Sequence, residues 1–293
     1  MHHVKALSAQ ALVNNARLEA WCRPMTLRIL SISSQVAYGN VGNSAAVPAM
    51  QSQGHEVLAV PTIVLSNHPG HGKPVSLRVP APDLAAILGA LADRDILWGC
   101  SAVMTGYFSA NDQIHGVARI IRQMRKKNPS LYVLVDPIIG DGEALYVPLP
   151  VAEAIRDQLL PLANCITPNR FELAWLAGCS VTSVNDATAA ARCLGVSEVL
   201  ATSIPAGPGL LATLAITDRD CFERMSPLSQ SVPHGTGDFL AGLYLADRLA
   251  HDPEEALHRS LAILERAIAR SAGSAVLDIS AALKGSTNEH RPR

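Results

Sequence analysis

The chain has 293 residues, a formal charge of −1, 48% hydrophobic and 17% charged residues. That composition gives ample material for a hydrophobic core, and its neutral balance excludes nucleic acid as the main partner. No apolar run reaches the length of a membrane span.

In chain order, residues 1–24 lack the continuous apolar core of a signal peptide, and a second methionine, Met25, directly precedes the first strand-like run. We expect 1–24 to be an N-terminal extension outside the fold, 25–285 to form one domain, and 286–293 to be a polar tail. Leu27–Ile32 reads as a strand, Val41–Gln53 as a helix, Glu56–Pro61 as a strand and Asp83–Ala92 as a helix. Strand 102–104, helix 112–127 and the β-rich run 131–135 follow, then helix 151–160, strand 165–167 and helices 169–177 and 185–194. A strand at 198–202 and a hairpin of 210–216 with 220–225, turned at 217–220, precede two long helices near 236–250 and 254–271. Apolar strands alternating with helices predict an α/β fold: a central, mostly parallel sheet with helices on both faces. The basic cluster Arg119, Arg122, Arg125, Lys126 and Lys127 has helical spacing and reads as a solvated face. Six cysteines without C-x-x-C spacing read as reduced, mostly buried thiols of a cytosolic protein.

Ligands of such sheets bind beyond the carboxyl ends of the strands. Ser33-Ser34, Asp136, Thr167-Pro168-Asn169 and the turn Pro233-His234-Gly235-Thr236-Gly237-Asp238 all fall there. That last turn opens a helix, where unpaired amides and the helix dipole favour an anion. A carboxylate beside an anion site repels the ligand that the glycines admit. Asp238 makes sense there as a base that takes a proton from a hydroxyl attacking phosphorus; the competing reading is an N-capping Asp. Gly72-Lys73 continues into Pro74 and lacks the upstream glycine of a Walker loop, while Gly39 and Gly42 have the wrong spacing for a dinucleotide fingerprint.

Six segments in order carry a resemblance to the ribokinase-like superfamily, and within it to the pyridoxal kinases. They are Ser34–Asn43, Ser66-Asn67-His68, Thr105-Gly106-Tyr107, Asp136–Asp141, Ile166–Glu172 and Gly235–Asp238. The likeness spans about Leu27 to Leu283. It implies a ribokinase-like fold, transfer of the γ-phosphate of ATP to the 5′-hydroxyl of pyridoxal, with pyridoxine and pyridoxamine as further substrates, a Mg²⁺ requirement, a homodimer and a cytoplasmic setting. It implies Asp238 as base, with the amides of Gly235, Thr236 and Gly237 holding the migrating phosphoryl oxygens. It implies Asp136 and Glu172 as the acids that hold Mg²⁺, directly or through water, with Asn169 fixing the local geometry. Ser34, Val36 and Tyr107 match substrate contacts. His68, Pro69 and Gly70, with His71, form the substrate-edge loop. Asp141, Tyr146, Thr167, Thr202 and Ser203 match positions near the ATP phosphates or the covering loop.

Two departures stand out. Pro69 occupies a position where relatives often carry a threonine, which removes a hydroxyl and an amide N–H and leaves vitamer preference open. The 141–148 loop is short, which leaves the ATP site less covered. Two other functions fit the same motifs: phosphorylation of another small alcohol such as a hydroxymethylpyrimidine, and non-catalytic pyridoxal phosphate binding. The second has no need of a base at Asp238.

Overall fold

The architecture is set by which way each strand residue points. In the computed structural model, which describes residues 26–229 and 232–284, the strand β1 (Arg28–Tyr38) sends Leu30 and Ile32 into one core and Ile29 into another. Strand β2 is Glu56–Asn67, β3 Ser76–Arg78, β4 Ala102–Thr105 and β5 Tyr132–Val135. Val103, Val133 and Val135 join the first core, whereas Ala102, Met104 and Leu134 join the second. This period of two with apolar residues on both sides marks a sheet covered on both faces. The expectations for 1–24 and 286–293 lie outside the described residues.

The first core is closed by α2 (Ala81–Ala92), α3 (Asn111–Lys127), α4 (Leu149–Ala154), α5 (Arg170–Ala177) and α6 (Val184–Cys193). The second is closed by α1 (Asn43–Ser52), α7 (Thr236–Arg248), α8 (Pro253–Arg270) and α9 (Ile279–Lys284). Two short strands, β6 (Gly140–Asp141) and β7 (Ala144–Leu145), form a separate ribbon. With β8 (Cys165–Ile166), β9 (Glu198–Pro205), β10 (Leu210–Thr217) and β11 (Cys221–Pro227), the main sheet runs β11-β10-β9-β8-β5-β4-β1-β2-β3. The centre from β9 to β2 is parallel; β10, β11 and β3 pair antiparallel at the two edges. The predicted 210–225 hairpin is therefore the last two strands at one edge.

Two irregularities matter to the site. The β1–β2 register shifts between Ser33 and Gln35, so β2 carries an extra residue beside Ser34. The β9–β10 register shifts opposite Thr202 and Ser203, and Ser203 adopts φ +58. Bulges of this kind re-aim side chains at strand ends.

The cysteine expectation is corrected in part. Cys100 and Cys165 are buried, but Cys179, Cys193 and Cys221 are exposed, and all five are free. Cys179 follows the end of α5, and Cys193 on α6 and Cys221 on the edge strand β11 lie on faces turned from the core. The basic residues of α3 do lie largely on its solvent side. No helix among the described residues is long and apolar enough to cross a membrane.

Candidate active site

The turn before α7 exists because glycine occupies two positions for two different reasons. Gly235 takes φ +92, and a β-carbon there would stand 1.7 Å from the carbonyl oxygen of Asn40. That turn is thus pressed against the β1–α1 connection, where no side chain fits. A β-carbon on Gly237 would meet nothing within 4 Å. Its open side lies where an anion would approach the first amides of the helix.

Asp238 follows in the first turn of α7. The N-cap is Gly235 and no side chain caps this helix end, so the capping reading of Asp238 does not hold. Its carboxylate instead faces the backbone N–H of Gly42 and its own N–H, both of which favour its charged form. Gly42 has φ +56, and a β-carbon on it would collide with Ser34 at 2.3 Å. Ser34, Gly42 and Asp238 are therefore stacked in immediate succession. Burial raises the Asp238 pKa to about 6, against the lowering effect of those amides. Nothing local in the sequence indicates that the Gly42 N–H faces a carboxylate on a distant helix.

On the other side, Asp136 follows β5 and is buried. Thr167, directly after β8, donates its hydroxyl to Asp136 Oδ1 at 2.8 Å. Burial, then the charges of Asp238 and Glu172, push the Asp136 pKa well up. No ion pair among the described residues reaches Asp136, Asp141, Glu172 or Asp238. The acids cluster together, with no ion-paired cation among the described residues.

Glu172, in the first turn of α5, is 4% exposed. It closes a capping box with Asn169: Glu172 N–H donates to Asn169 Oδ1, and Asn169 N–H donates to Glu172 Oε2, both at 2.9 Å. Its other oxygen accepts from Ile139 N–H at 3.0 Å and Gly140 N–H at 3.4 Å. Asn169 Nδ2 donates to Gly140 O at 2.8 Å. Together they fasten the 136–141 loop to the start of α5. Burial raises the Glu172 pKa to about 8 despite these hydrogen bonds.

Tyr146 closes this side. It is 55% exposed, but desolvation at its hydroxyl and the charges of Glu172, Asp136, Asp238 and Asp141 raise its pKa. That list of charges places Tyr146 over the same acids. Asp141 is exposed and accepts from Gly142 N–H at 2.7 Å. Thr202 pairs with Asn169 across the end of the sheet, its N–H donating to Pro168 O at 2.9 Å. Exposed Ser203 sits in the bulge beside it.

The substrate-side residues come from the ends of β1, β2 and β4. Ser34 and Val36 are buried on β1. Ser33 Oγ accepts from Tyr107 N–H at 3.1 Å, and Thr62 donates its hydroxyl to Tyr107 O at 2.6 Å, which pins Tyr107 beside β1. His68, Pro69 and Gly70 lie in a short 3₁₀ turn after β2. An open cavity of about 440 Å³ at the start of α6, bordered by Ser183, Asn185 and Pro205, includes none of the predicted residues.

Mg²⁺ is tested by these donors. No group of three or more His, Cys, Asp or Glu among the described residues could by itself hold a metal ion. Mg²⁺ characteristically needs only one or two carboxylates, with waters and phosphate oxygens completing six positions. Asp136, with uncompensated charge beside it, fits that requirement. Glu172, both oxygens engaged by amides, fits a role through water.

A largely parallel sheet covered on both faces, with a glycine turn and an acid at the helix start beyond its strand ends, is the ribokinase-like arrangement. A family model described as phosphomethylpyrimidine kinase matches residues 42–277. The chain is 34% identical over 265 residues to pyridoxal kinase PdxY of Granulibacter bethesdensis, covering 86% of this chain and 93% of that protein. It is 36% identical over 236 residues to a pyridoxine/pyridoxal/pyridoxamine kinase of Bordetella avium, covering 78% of each. The solved pyridoxal kinase of Leishmania donovani in complex with ADP and pyridoxamine superposes with a TM-score of 0.84 at 27% identity, covering 89% of this chain and 96% of that one. The chain belongs to the pyridoxal kinase family, within the group that the phosphomethylpyrimidine kinase model describes.

Proposed function

We propose that this chain transfers the γ-phosphoryl group of ATP to the 5′-hydroxyl of pyridoxal, giving pyridoxal 5′-phosphate and ADP, and accepts pyridoxine and pyridoxamine as well. The observation that carries the proposal is Asp238, which is not the N-cap of α7 and lies beside the Gly42 amide and the open face of Gly237.

An alcohol is a poor nucleophile at neutral pH, and a positioned base contributes about 10²- to 10⁴-fold. The hydroxyl proton passes to the Asp238 carboxylate as the oxygen–phosphorus bond forms; the bond to the bridging oxygen breaks and ADP leaves. The amides of Gly235, Thr236 and Gly237 face the phosphoryl oxygens, where preorganised donors act most strongly on developing charge. Asp136 would hold Mg²⁺, with Glu172 behind it through water and Asn169 fixing the loop. Bound there, the ion would neutralise charge on the phosphate oxygens. Asp141, Tyr146, Thr167, Thr202 and Ser203 border the nucleotide; Ser34, Val36, Tyr107, His68, Pro69 and Gly70 border the alcohol. The reading includes a cytoplasmic homodimer, checked by fractionation and sedimentation.

A second reading, phosphorylation of a hydroxymethylpyrimidine, is favoured by the description of the matching family model. A coupled ADP-release assay with pyridoxal, pyridoxine, pyridoxamine and hydroxymethylpyrimidine, each with and without Mg²⁺, decides between them. Turnover of the pyrimidine alone overturns the pyridoxal assignment, and no Mg²⁺-dependent turnover of any alcohol overturns both.

A further inference from the structure

Three imidazoles meet where the turn after β2 touches the turn before α7. His68 and His71 belong to the turn after β2; His234 is the residue immediately before Gly235. The His68 and His234 rings lie 4.2 Å apart between centroids, tilted by 36°. His71 meets His234 edge-on at 5.7 Å and His68 at 6.3 Å. From β1, the Tyr38 ring meets His71 at 5.6 Å. A β-carbon on Gly70 would lie 2.4 Å from His234 Nε2, so the turn bears directly on that ring. His234 is itself fixed from behind, its N–H donating to Ala275 O at 3.2 Å.

The protonation of this contact can be read from its hydrogen bonds. His68 Nδ1 accepts from Gly70 N–H at 3.1 Å, which requires the neutral ring with its proton on Nε2. Burial, then the charges of His234 and His71, lower the His68 pKa from its ordinary 6.5. The groups facing the pair are His71 from the same turn and Tyr38, at the edge of His71, from β1. The three imidazoles do not make a site able to hold a metal ion.

Resting on the kinase reading above, we propose that the His68–His234 stack is a proton-sensitive latch that positions the substrate-edge turn 68–71 against the phosphoryl-binding turn 235–237. His68 and His234 act as positioning residues in this scheme. With His68 neutral, the rings stack and the turn closes over the alcohol. With both rings protonated, two cations face each other at 4.2 Å, and Gly70 N–H loses its acceptor. The sign follows from the lowered His68 pKa: the latch is fully present above 6.5 and is lost as pH falls through the depressed value. A like-charge pair at this separation in water-like surroundings weighs about five-fold in an equilibrium.

The test is KM for pyridoxal at pH 5.5 and 7.5 in the wild type, His234→Phe and His234→Ala, with kcat recorded separately. The substrate's own titration is common to all three. The wild-type KM should rise about five-fold more between pH 7.5 and 5.5 than that of His234→Phe, which stacks but cannot be protonated. His234→Ala, with no ring to stack on, should show a raised KM at pH 7.5. The same KM ratio in wild type and His234→Phe overturns the latch. Hydrogen exchange of the segment 66–75, corrected for intrinsic rates, reads it without turnover. Protection at pH 7.5 that is lost at pH 5.5 in the wild type and retained in His234→Phe supports the latch even if no alcohol is phosphorylated. Equal protection at both pH values in the wild type overturns it.

Discussion

The backbone N–H of Gly42 faces the carboxylate of Asp238 and favours its charged form, which sets the turn after β1 against the first turn of α7. The same turn presses Asn40 O against Gly235, and Gly42 itself against Ser34. Asp238, the turn at Gly235 and Ser34 are thus braced by one short connection. The Gly42 N–H alone would hold the Asp238 pKa down; burial wins and raises it to about 6. The base must be ionised to take a proton, so kcat/KM should fall with unit slope as pH drops below about 6. Measured in the double variant His68→Phe/His234→Phe, where neither ring titrates, and corrected for the substrate's own titration, that limb belongs to Asp238. Asp238→Asn should bind ATP nearly as before and lose about 10²- to 10⁴-fold in kcat. Undiminished turnover in that variant removes the mechanism.

The same raised pKa predicts a stability trade. Below 3.8 the carboxyl is protonated in both folded and unfolded chains and no penalty exists. Between 3.8 and about 6 the unfolded chain ionises first and the folded state loses ground, with the full cost present above that window. The shift corresponds to about 3 kcal/mol, reduced to about 1–2 for a partly exposed group. Asp238→Asn should therefore unfold at higher urea concentration than the wild type at pH 7.5, and at nearly the same concentration near pH 3.5. A less stable variant at pH 7.5 contradicts this account.

Gly235 and Gly237 should respond oppositely to the same substitution. Gly235→Ala forces a β-carbon onto the Asn40 carbonyl at φ +92; neither backbone can yield cheaply, and a loss of at least about 3 kcal/mol is expected. Gly237→Ala meets open space and replaces a poor helix former by a good one, a gain of up to about 1 kcal/mol. Its cost falls on the anion, which the new methyl obstructs, and kcat/KM should drop by about 10²-fold. Thermal melts and steady-state kinetics on the pair check both halves. A Gly237→Ala enzyme with full activity would show that phosphate does not approach there.

How far the sequence reveals this site depends on the range of each contact. The central strands were legible because both core faces demand apolar residues, as in Leu134 and Val135. The ends of β1 and β2 were not: the side chains of Ser33, Gln35, Ser66 and Asn67 hold neighbouring segments at Tyr107, Ser44, Val75 and Gly72, and that polarity hides their strand geometry. β3, β6 and β7, at two or three residues each, are too short to show a period. The Asn169–Glu172 spacing is a local capping-box signal, whereas the grip of Glu172 on Ile139 and Gly140 comes from a separate loop. His234 gives no sign of its partners, which lie on the far side of the chain's sequence.

Thr167 offers a way to probe Asp136 without removing it. Its hydroxyl is the hydrogen bond that opposes burial and the charges of Asp238 and Glu172. Thr167→Val deletes the donor, so the Asp136 pKa should climb further and the carboxylate should bind a cation less well. A hydrogen bond to a charged group contributes about 1.5–3 kcal/mol, so the Mg²⁺ concentration for half-maximal turnover should rise about 10- to 100-fold. Lowering the pH should widen the gap, and Thr167→Ser should restore it. An unchanged Mg²⁺ titration in Thr167→Val would detach Asp136 from the ion.

Far from the site, Glu198 at the start of β9 is buried and accepts from the Tyr244 hydroxyl at 2.7 Å and from Arg248 at 2.9–3.0 Å. Arg248 also donates to His251 O, so the last turn of α7 is tied to the beginning of a strand. α7 carries Asp238 at its other end, and this anchor fixes the helix along its axis. Removing one partner of a buried pair leaves the other charge unmatched, which costs about 3–5 kcal/mol, whereas replacing both by apolar groups is often near neutral. Glu198→Leu should lower the urea midpoint strongly, and adding Arg248→Met should recover most of the loss. If the double variant regains stability but its kcat stays low, the anchor also serves the placement of Asp238. Full recovery of both confines it to holding the fold.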